Sequence, residues 1–599
     1  MKRGPRPRRS AMAMRAAAWA IGPLCVMLLP VAALALINPK YTVVDLVRDS
    51  NQILVVRVSA PRDGKMSGEV TGALAGQAPA EPKAVFDYSE AENLTEEKIV
   101  AAFGGAKTAL AVVCIHKKKQ ENTIVGAMEI GTTWMGLTHL NGNVWKLDED
   151  PNGLETVWGG SARTLIPAIR YTSSDPAPEF PVAANLAWGN DLALGQLGGP
   201  AHGCLVTGDG LILLSEGGDR VYQPGTKDAK LVDVTGKLGL TTKSRRMAAG
   251  DFDGDGRMDI ACWDGARLMM YSRDAAGRFS APPCGFDLTE CLSLSALDAS
   301  LVIGSAKGAM LFRPNGAVGA LTELAGGAGP CAVADFNDDG APDIMQVSAQ
   351  ELTLRAGTTK PGVFAPPVTM KIAVLKEPRE IVCGDYDTDG QLDMMVAGAG
   401  GTALLSRQDG QWISTIAETG ELGAASKDEV QAVGACLSDL NGDGRQAVAF
   451  FDASTAPGLY FNRGFACFGV ARTLAFGDAK LPAAEALGNG QMAGLVWDLN
   501  GDLSPDLLAV DRQQKVWCIH TVPTESRRFQ LTIEPRAKGP LTVTVSLAAR
   551  ALGMWVARPG EPTVIALPKA GKVTLRWKEA DGTPKTREVV VTGRAQVQL

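Results

Sequence analysis

The stretch DFDGDGRMD at 251–259 recurs four more times along the chain, and repeats in one phase leave few folds open. In this first copy Asp251, Asp253, Asp255 and Asp259 crowd their carboxylates into one short loop. Two such charges about 4–5 Å apart repel by roughly 3–4 kcal/mol at an effective dielectric near 20. A hard divalent ion that gathers several oxygen ligands relieves that crowding, and calcium suits a flexible carboxylate set. By analogy with an EF-hand loop, Asp251, Asp253 and Asp255 are expected as side-chain ligands and Gly256 as the sharp turn. Arg257 would then offer its carbonyl, and Asp259 would close the site. An EF-hand itself is excluded. Its twelfth position should be a bidentate Glu, and here it is Cys262. The flank IACWDGARLMMYS also reads as strand, Asp-Gly turn, strand rather than helix.

The second copy carries Asp335, Asn337, Asp339, Gly340, Ala341 and Asp343, and the third Asp385, Asp387, Asp389, Gly390, Gln391 and Asp393. The fourth has Asp439, Asn441, Asp443, Gly444 and Arg445, but Ala447 stands where the ninth-position carboxylate belongs. The fifth has Asp498, Asn500, Asp502, Ser504 and Asp506, with Leu503 in place of the turn glycine. Up to five calcium ions are therefore expected, at three strong sites and two weaker ones. Each copy follows one short apolar run and precedes another, so every loop is expected between β-strands.

The copies start at 251, 335, 385, 439 and 498. The first gap is too long for one unit, and LSLSALDASLVIGSAKGAMLFRPNG in its middle keeps the strand–turn–strand pattern without the acids. DLALGQLGGPAHGCLVTGDGLILLSEGG does the same around residue 196. Counting both predicts seven units. A unit of about 40–60 residues with four short strands is the signature of a propeller blade. A seven-bladed β-propeller is predicted over 182–525.

AAGDFDGDGRMDIAC, CAVADFNDDGAPDIM and IVCGDYDTDGQLDMM, with blade ends such as GRFSAPP and GVFAPPV, resemble FG-GAP/VCBS repeats. These are the calcium-loop blades of integrin-α-type propellers and of many exported bacterial proteins. The resemblance covers a little over half the chain. It implies that each acidic loop joins the innermost strand of a blade to the next, with AAG, AVA and VCG lining the channel.

The flanks read as separate units. Residues 1–35 resemble an export leader: a basic KRGPRPRR, an apolar run from Ala16, and Pro30 five residues before Ala35, the end of a small-x-small site. An uncleaved anchor over 16–37 is the alternative. Residues 36–175 alternate like strands around one short helix at NLTEEKIVAAFGGA, capped by Asn93, which gives an α+β domain of OB type. ARTLIPAIRY is expected as a closing helix. Trp134, Trp145 and Trp158 are expected to pack in and around that core. SSDPAPEFP at 173–181 reads as a linker. Residues 526–599 alternate with period two around Asp581-Gly582, as a small antiparallel β-sandwich. VTLRWKEADGTPKTREVVV resembles one hairpin of the ASPIC/UnbV module.

Charge and cysteines narrow the function. Removing residues 1–35 takes the net charge from −6 to about −12, and five calcium ions would return it to about −2. No basic stripe is present, which argues against nucleic acid. Cys331, Cys383 and Cys436 sit in apolar runs and are expected as buried hydrophobes; Cys284 and Cys291 are the one local pair spaced for a disulfide. No CxxC, HExxH, GxSxG or phosphate loop occurs, and the four histidines have no metal-ligand spacing. Carboxylates committed to calcium make poor general acids. The expected role is an exported, monomeric, non-catalytic adhesion or binding scaffold for a protein or glycan. The alternatives are a polysaccharide-active enzyme with its site at the channel mouth, and a membrane-anchored assembly factor.

Overall fold

The computed structural model describes residues 48–599 with breaks. The longest breaks fall within 150–187, 415–431, 461–489 and 522–528, and a few isolated positions inside them are described. The leader, Trp158, the 173–181 linker, Asn441 and Asp443 lie outside the described residues. Among those described, no helix is long and apolar enough to cross a membrane.

The chain is mainly β. Between Gln52 and Glu149, seven strands close into a barrel. All its pairs are antiparallel except Lys83–Asp87 with Val144–Glu149. The OB type has about five strands, so this barrel is larger than the alternation of its segments suggested. Its core gathers Val56, Val58, Phe86, Val113, Met128 and Leu137. The helix Glu96–Ala102 packs Ile99 into that core. Its N-cap is Thr95 rather than Asn93: the Thr95 hydroxyl accepts from the Lys98 N–H at 3.3 Å, and Glu96 and Glu97 occupy the first turn. Of ARTLIPAIRY, Ala162, Leu165, Ile166 and Ile169 are described and helical. Ala162, Leu165 and Ile169 pack on Ile53, Val112 and Trp134.

From Trp188 to Thr521 the described strands form seven four-stranded antiparallel sheets. Their innermost strands are Ala201–Thr207, Arg246–Gly250, Ser293–Leu297, Cys331–Ala334, Glu377–Gly384, Ala432–Ser438 and Gln491–Trp497. Each lies beside the next and the last beside the first, so the sheets form a ring, the arrangement of a β-propeller. Apolar side chains fill the space between neighbouring blades. Val302 and Leu311 of the third blade meet Val333 and Ile344 of the fourth, and Met345 and Leu352 of the fourth meet Met394 and Leu405 of the fifth. Six blades are continuous in sequence. The seventh takes its outer strand from the start of the ring: Trp188–Gln196 pairs with Lys515–Thr521, from Lys515 opposite Gln196 to Thr521 opposite Trp188. Closure therefore joins strands more than 300 residues apart.

Blade-to-blade staples reinforce the ring. Buried Asp219 accepts from the Ser215 and Ser244 N–H groups at 2.9 and 3.0 Å and from the Thr242 and Ser244 hydroxyls at 2.6 and 2.5 Å. It thus ties the first blade to the segment entering the second.

Residues 529–599 form two sheets, one of three strands and one of four, around Leu531, Val543, Val545, Trp555, Ile565 and Leu575. One pair departs from the antiparallel expectation, because Phe529–Glu534 runs parallel to Arg594–Gln598. Cys284 and Cys291 form no disulfide; both are free and buried in the apolar layer between the second and third blades. Cys331 and Cys383 are buried, and Cys436 is partly exposed.

Candidate functional site

Each acidic stretch turns the chain from an innermost strand to the second strand of its blade, as Arg246–Gly250 passes to Asp259–Trp263. One pattern of hydrogen bonds folds these loops. Asp251 accepts from Gly254 and Gly256, Asp253 from Asp255, and Asp255 from Arg257, all at 2.8–3.1 Å. Asp259 reaches back to the Phe252 N–H at 3.1 Å and forward to Arg273 at 3.0 Å. Asp335, Asn337, Asp339 and Asp343 repeat this wiring, as do Asp385, Asp387, Asp389 and Asp393, except that Asp335 and Asp385 accept from Asp339 and Asp389 where Asp251 accepts from Gly254. Ala341 and Gln391 are its last N–H donors. The sixth position must turn with positive φ: it is 82° at Gly256, 92° at Gly340 and 83° at Gly390. Leu503 adopts 75° there, a conformation that costs a non-glycine residue roughly 1–2 kcal/mol.

The carboxylates converge. Asp251, Asp253 and Asp259 each offer an oxygen within 4.8 Å of the others, and so do Asp385, Asp387 and Asp393. Burial pushes four of these carboxyls up: Asp259 to about 6, Asp387 to about 8, and Asp385 and Asp393 well above the carboxylate range. Asp343 in the second loop rises to about 7 for the same reason. Clustered, buried oxygens that resist holding their charges unaided fit a divalent cation.

The last two loops differ. In the fourth, Asp439 accepts from Gly444 at 3.0 Å, and Arg445 is buried. The neighbouring Gln446 accepts from the Asp385 N–H at 2.7 Å and donates to the Met554 carbonyl at 2.6 Å. In the fifth, Asp498, Asn500, Asp502, Ser504 and Asp506 keep the wiring. Side chains from elsewhere in the fold already engage its carboxylates. Arg594 Nη2 lies 2.6 Å from Asp498 Oδ2, and His520 Nδ1 lies 3.1 Å from Asp506 Oδ2. The donor set of this loop therefore fits a metal ion less well than the first three. Hydrogen bonding to Asp506 holds the His520 imidazole above its ordinary value. In the first and third blades two-residue turns, Gly208-Asp209 and Asp298-Ala299, replace the loop.

Sequence reasoning missed what covers these loops: the C-terminal sandwich sits on them. Thr542 Oγ1 accepts from the Asp335 N–H at 3.1 Å, Lys578 Nζ bonds Asp338 Oδ2 at 2.7 Å, and Gly208 N–H donates to the Gly560 carbonyl at 3.0 Å. Met554 and Val556 enter the apolar layer between the fourth and fifth blades. Nothing local in TVTVSLAA or ARPGEP signals such a partner.

Beneath the sandwich the central channel holds a cavity of about 460 Å³. Glu380 and Arg246 reach it from the propeller, and Arg558 and Glu561 from the sandwich turn Arg558–Glu561. Burial raises both carboxyls. Arg246 and Arg558 oppose that at Glu380, and Arg558 alone does so at Glu561.

No family model matches the sequence, and no curated protein matches it. Among solved structures, the chain is similar to YCF48 bound to D1 peptide (12% identity, 58% of this chain and 100% of that one, TM-score 0.36). It is also similar to an Agrocybe aegerita lectin that recognises non-reducing terminal N-acetylglucosamine (16%, 54% and 88%, TM-score 0.34). A third is PorZ, a surface component of the type-IX secretion system of Porphyromonas gingivalis (10%, 90% and 74%, TM-score 0.31). Likenesses this distant assign neither an activity nor a ligand.

Proposed function

We propose that this chain is an exported, calcium-binding, seven-bladed propeller of FG-GAP/VCBS type that acts as a non-catalytic binding scaffold for a protein or glycan. Calcium occupies the first three acidic loops, at Asp251–Asp259, Asp335–Asp343 and Asp385–Asp393. The fourth and fifth loops bind it weakly, because Ala447 lacks a carboxylate and Arg594 already neutralises Asp498. The observation that carries the reading is the shared loop wiring, with three oxygens brought within 4.8 Å in each of two loops. Calcium outside the cytosol reaches the concentrations at which extracellular-type sites fill, about 10⁻⁴–10⁻³ M. Loops held by such ions on a rigid ring present a fixed surface, which is where binding residues usually reside.

The test is capture by the immobilised full chain, from a glycan array and from an extracellular protein extract, in about 1 mM calcium or in chelator. The expected result is a ligand retained in calcium and released in chelator, with weaker retention by Asp387→Ala. Equal retention under both conditions would separate binding from the metal and overturn the reading.

A further inference from the structure

Among the charged side chains lining the channel cavity, some of both signs make no salt bridge to any described residue. Among the described residues, Glu380, Glu561 and Arg558 make no ion pair and no side-chain hydrogen bond, although all three line one cavity of about 460 Å³. Arg246 uses Nε and Nη1 on the Leu292 and Arg245 carbonyls, both at 2.8 Å, which leaves Nη2 free of those bonds.

Two backbone features place these groups around the cavity. The strand Glu377–Gly384 bulges between Pro378 and Glu380, and a bulge re-aims the side chains beside it. Glu380 consequently opens onto the cavity while its neighbours Val382 and Cys383 remain in apolar packing. From the opposite side, Arg558 and Glu561 are held by a tight turn. The Glu561 N–H donates to the Arg558 carbonyl at 3.1 Å, and Gly560 between them has φ 76° and is anchored to Gly208. Opposite charges in a poorly screened space attract strongly. Gathered around one cavity without a salt bridge between them, they complement a ligand that carries both signs itself.

The channel wall adds a third element. Each innermost strand pairs with only one neighbour in its own sheet, so its other edge faces the channel with backbone N–H and C=O groups outside any ladder. Such an edge suits an extended peptide backbone. A cavity of this volume falls within the range that encloses small ligands.

From these features we infer that the channel binds a short peptide with free termini, its ammonium group toward Glu380 or Glu561 and its carboxylate toward Arg558 and Arg246. This deepens the scaffold reading and rests on it, by giving one ligand a chemistry and a place.

Native mass spectrometry of the full chain with an equimolar tripeptide library bearing free termini tests the inference, with the same library N-acetylated or C-amidated and with maltotriose as comparators. Saturable binding of the free library is expected, weakened at least tenfold by either cap and by Glu380→Gln or Arg558→Gln. Glu380 bonds no described partner, so Glu380→Gln should fold; the capped libraries make the same test on the unaltered protein. Equal binding of capped peptides, preference for maltotriose, or no peptide bound would overturn it. If Glu380→Gln loses tripeptides yet the chain still captures its calcium-dependent ligand, the two sites are separate. If calcium-dependent capture fails while tripeptides bind, the scaffold reading falls and the channel site stands.

Discussion

Chelation of divalent ions at pH 8 should lower the melting temperature of the full chain by on the order of 10 °C, and by much less near pH 4.5. An ion present at about a hundred times its Kd stabilises by ~2.7 kcal/mol per site. Three filled loops at ~2 °C per kcal/mol, the scale for large domains, give a shift of that order. The pH dependence follows from the buried carboxyls. Asp259, Asp343 and Asp387 rise to about 6, 7 and 8 from an ordinary value of 3.8. Groups raised on folding hold protons that the unfolded chain has released. Their contribution is therefore complete below pH 4 and is lost as pH climbs through 6 to 8. Stripped of metal, the protein should weaken across that window; with calcium, the ion takes over the protons' role at its upper end. Melts in EGTA and in calcium at several pH values check this. Coincident curves at pH 8 would remove the structural ion.

Asp219→Ala should be the most damaging single substitution away from the acidic loops, at about 4 kcal/mol or more. The carboxylate is buried, and its loss strands two backbone N–H groups and two hydroxyls at the junction of the first two blades. Hydrogen bonds to a charged acceptor are worth roughly 1.5–3 kcal/mol each, and the hydroxyls can recover part of that by rotating. Asp219→Asn keeps an acceptor and should lose less. Urea melts of both variants decide the point: equal midpoints for Asp219→Ala and the parent would mean that the staple contributes nothing.

The legible parts of this architecture were short-range ones. DFDGDGRMD and its copies encode their own loop, because each acceptor lies within a few residues of its donor, and apolar runs on either side announce two strands. The larger ring followed from the spacing of those copies. Partners far apart in sequence left no local mark. Trp188–Gln196 reads as a strand, but nothing in WGNDLALGQ says that it pairs with KVWCIHT. Nothing in VTGRAQVQL says that Arg594 lies on Asp498, 96 residues away. The Leu503 substitution was visible, while its counterpart in the sandwich was not. Glu380 escaped notice because a one-residue bulge decides which way it points, and Pro378 in VLKEPREIV marks an irregular strand without saying which side chains the slip re-aims. Gln446 sits beside a missing carboxylate, and only the fold shows that it ties the third loop to Met554.

The way the ring is shut also fixes how it would respond to tension. The barrel's chain enters the seventh sheet at Trp188, and the path to the sandwich leaves it at Thr521, directly opposite. A pull between the two appended domains, once the docking contacts yield, would load both strands at the same end. Such a pair peels one rung at a time instead of sharing the strain along its length. Stretching the chain between residue 50 and its C-terminus in an optical trap should show this peeling as an early, low-force step. An opening force as high as that of the remaining blades would refute it.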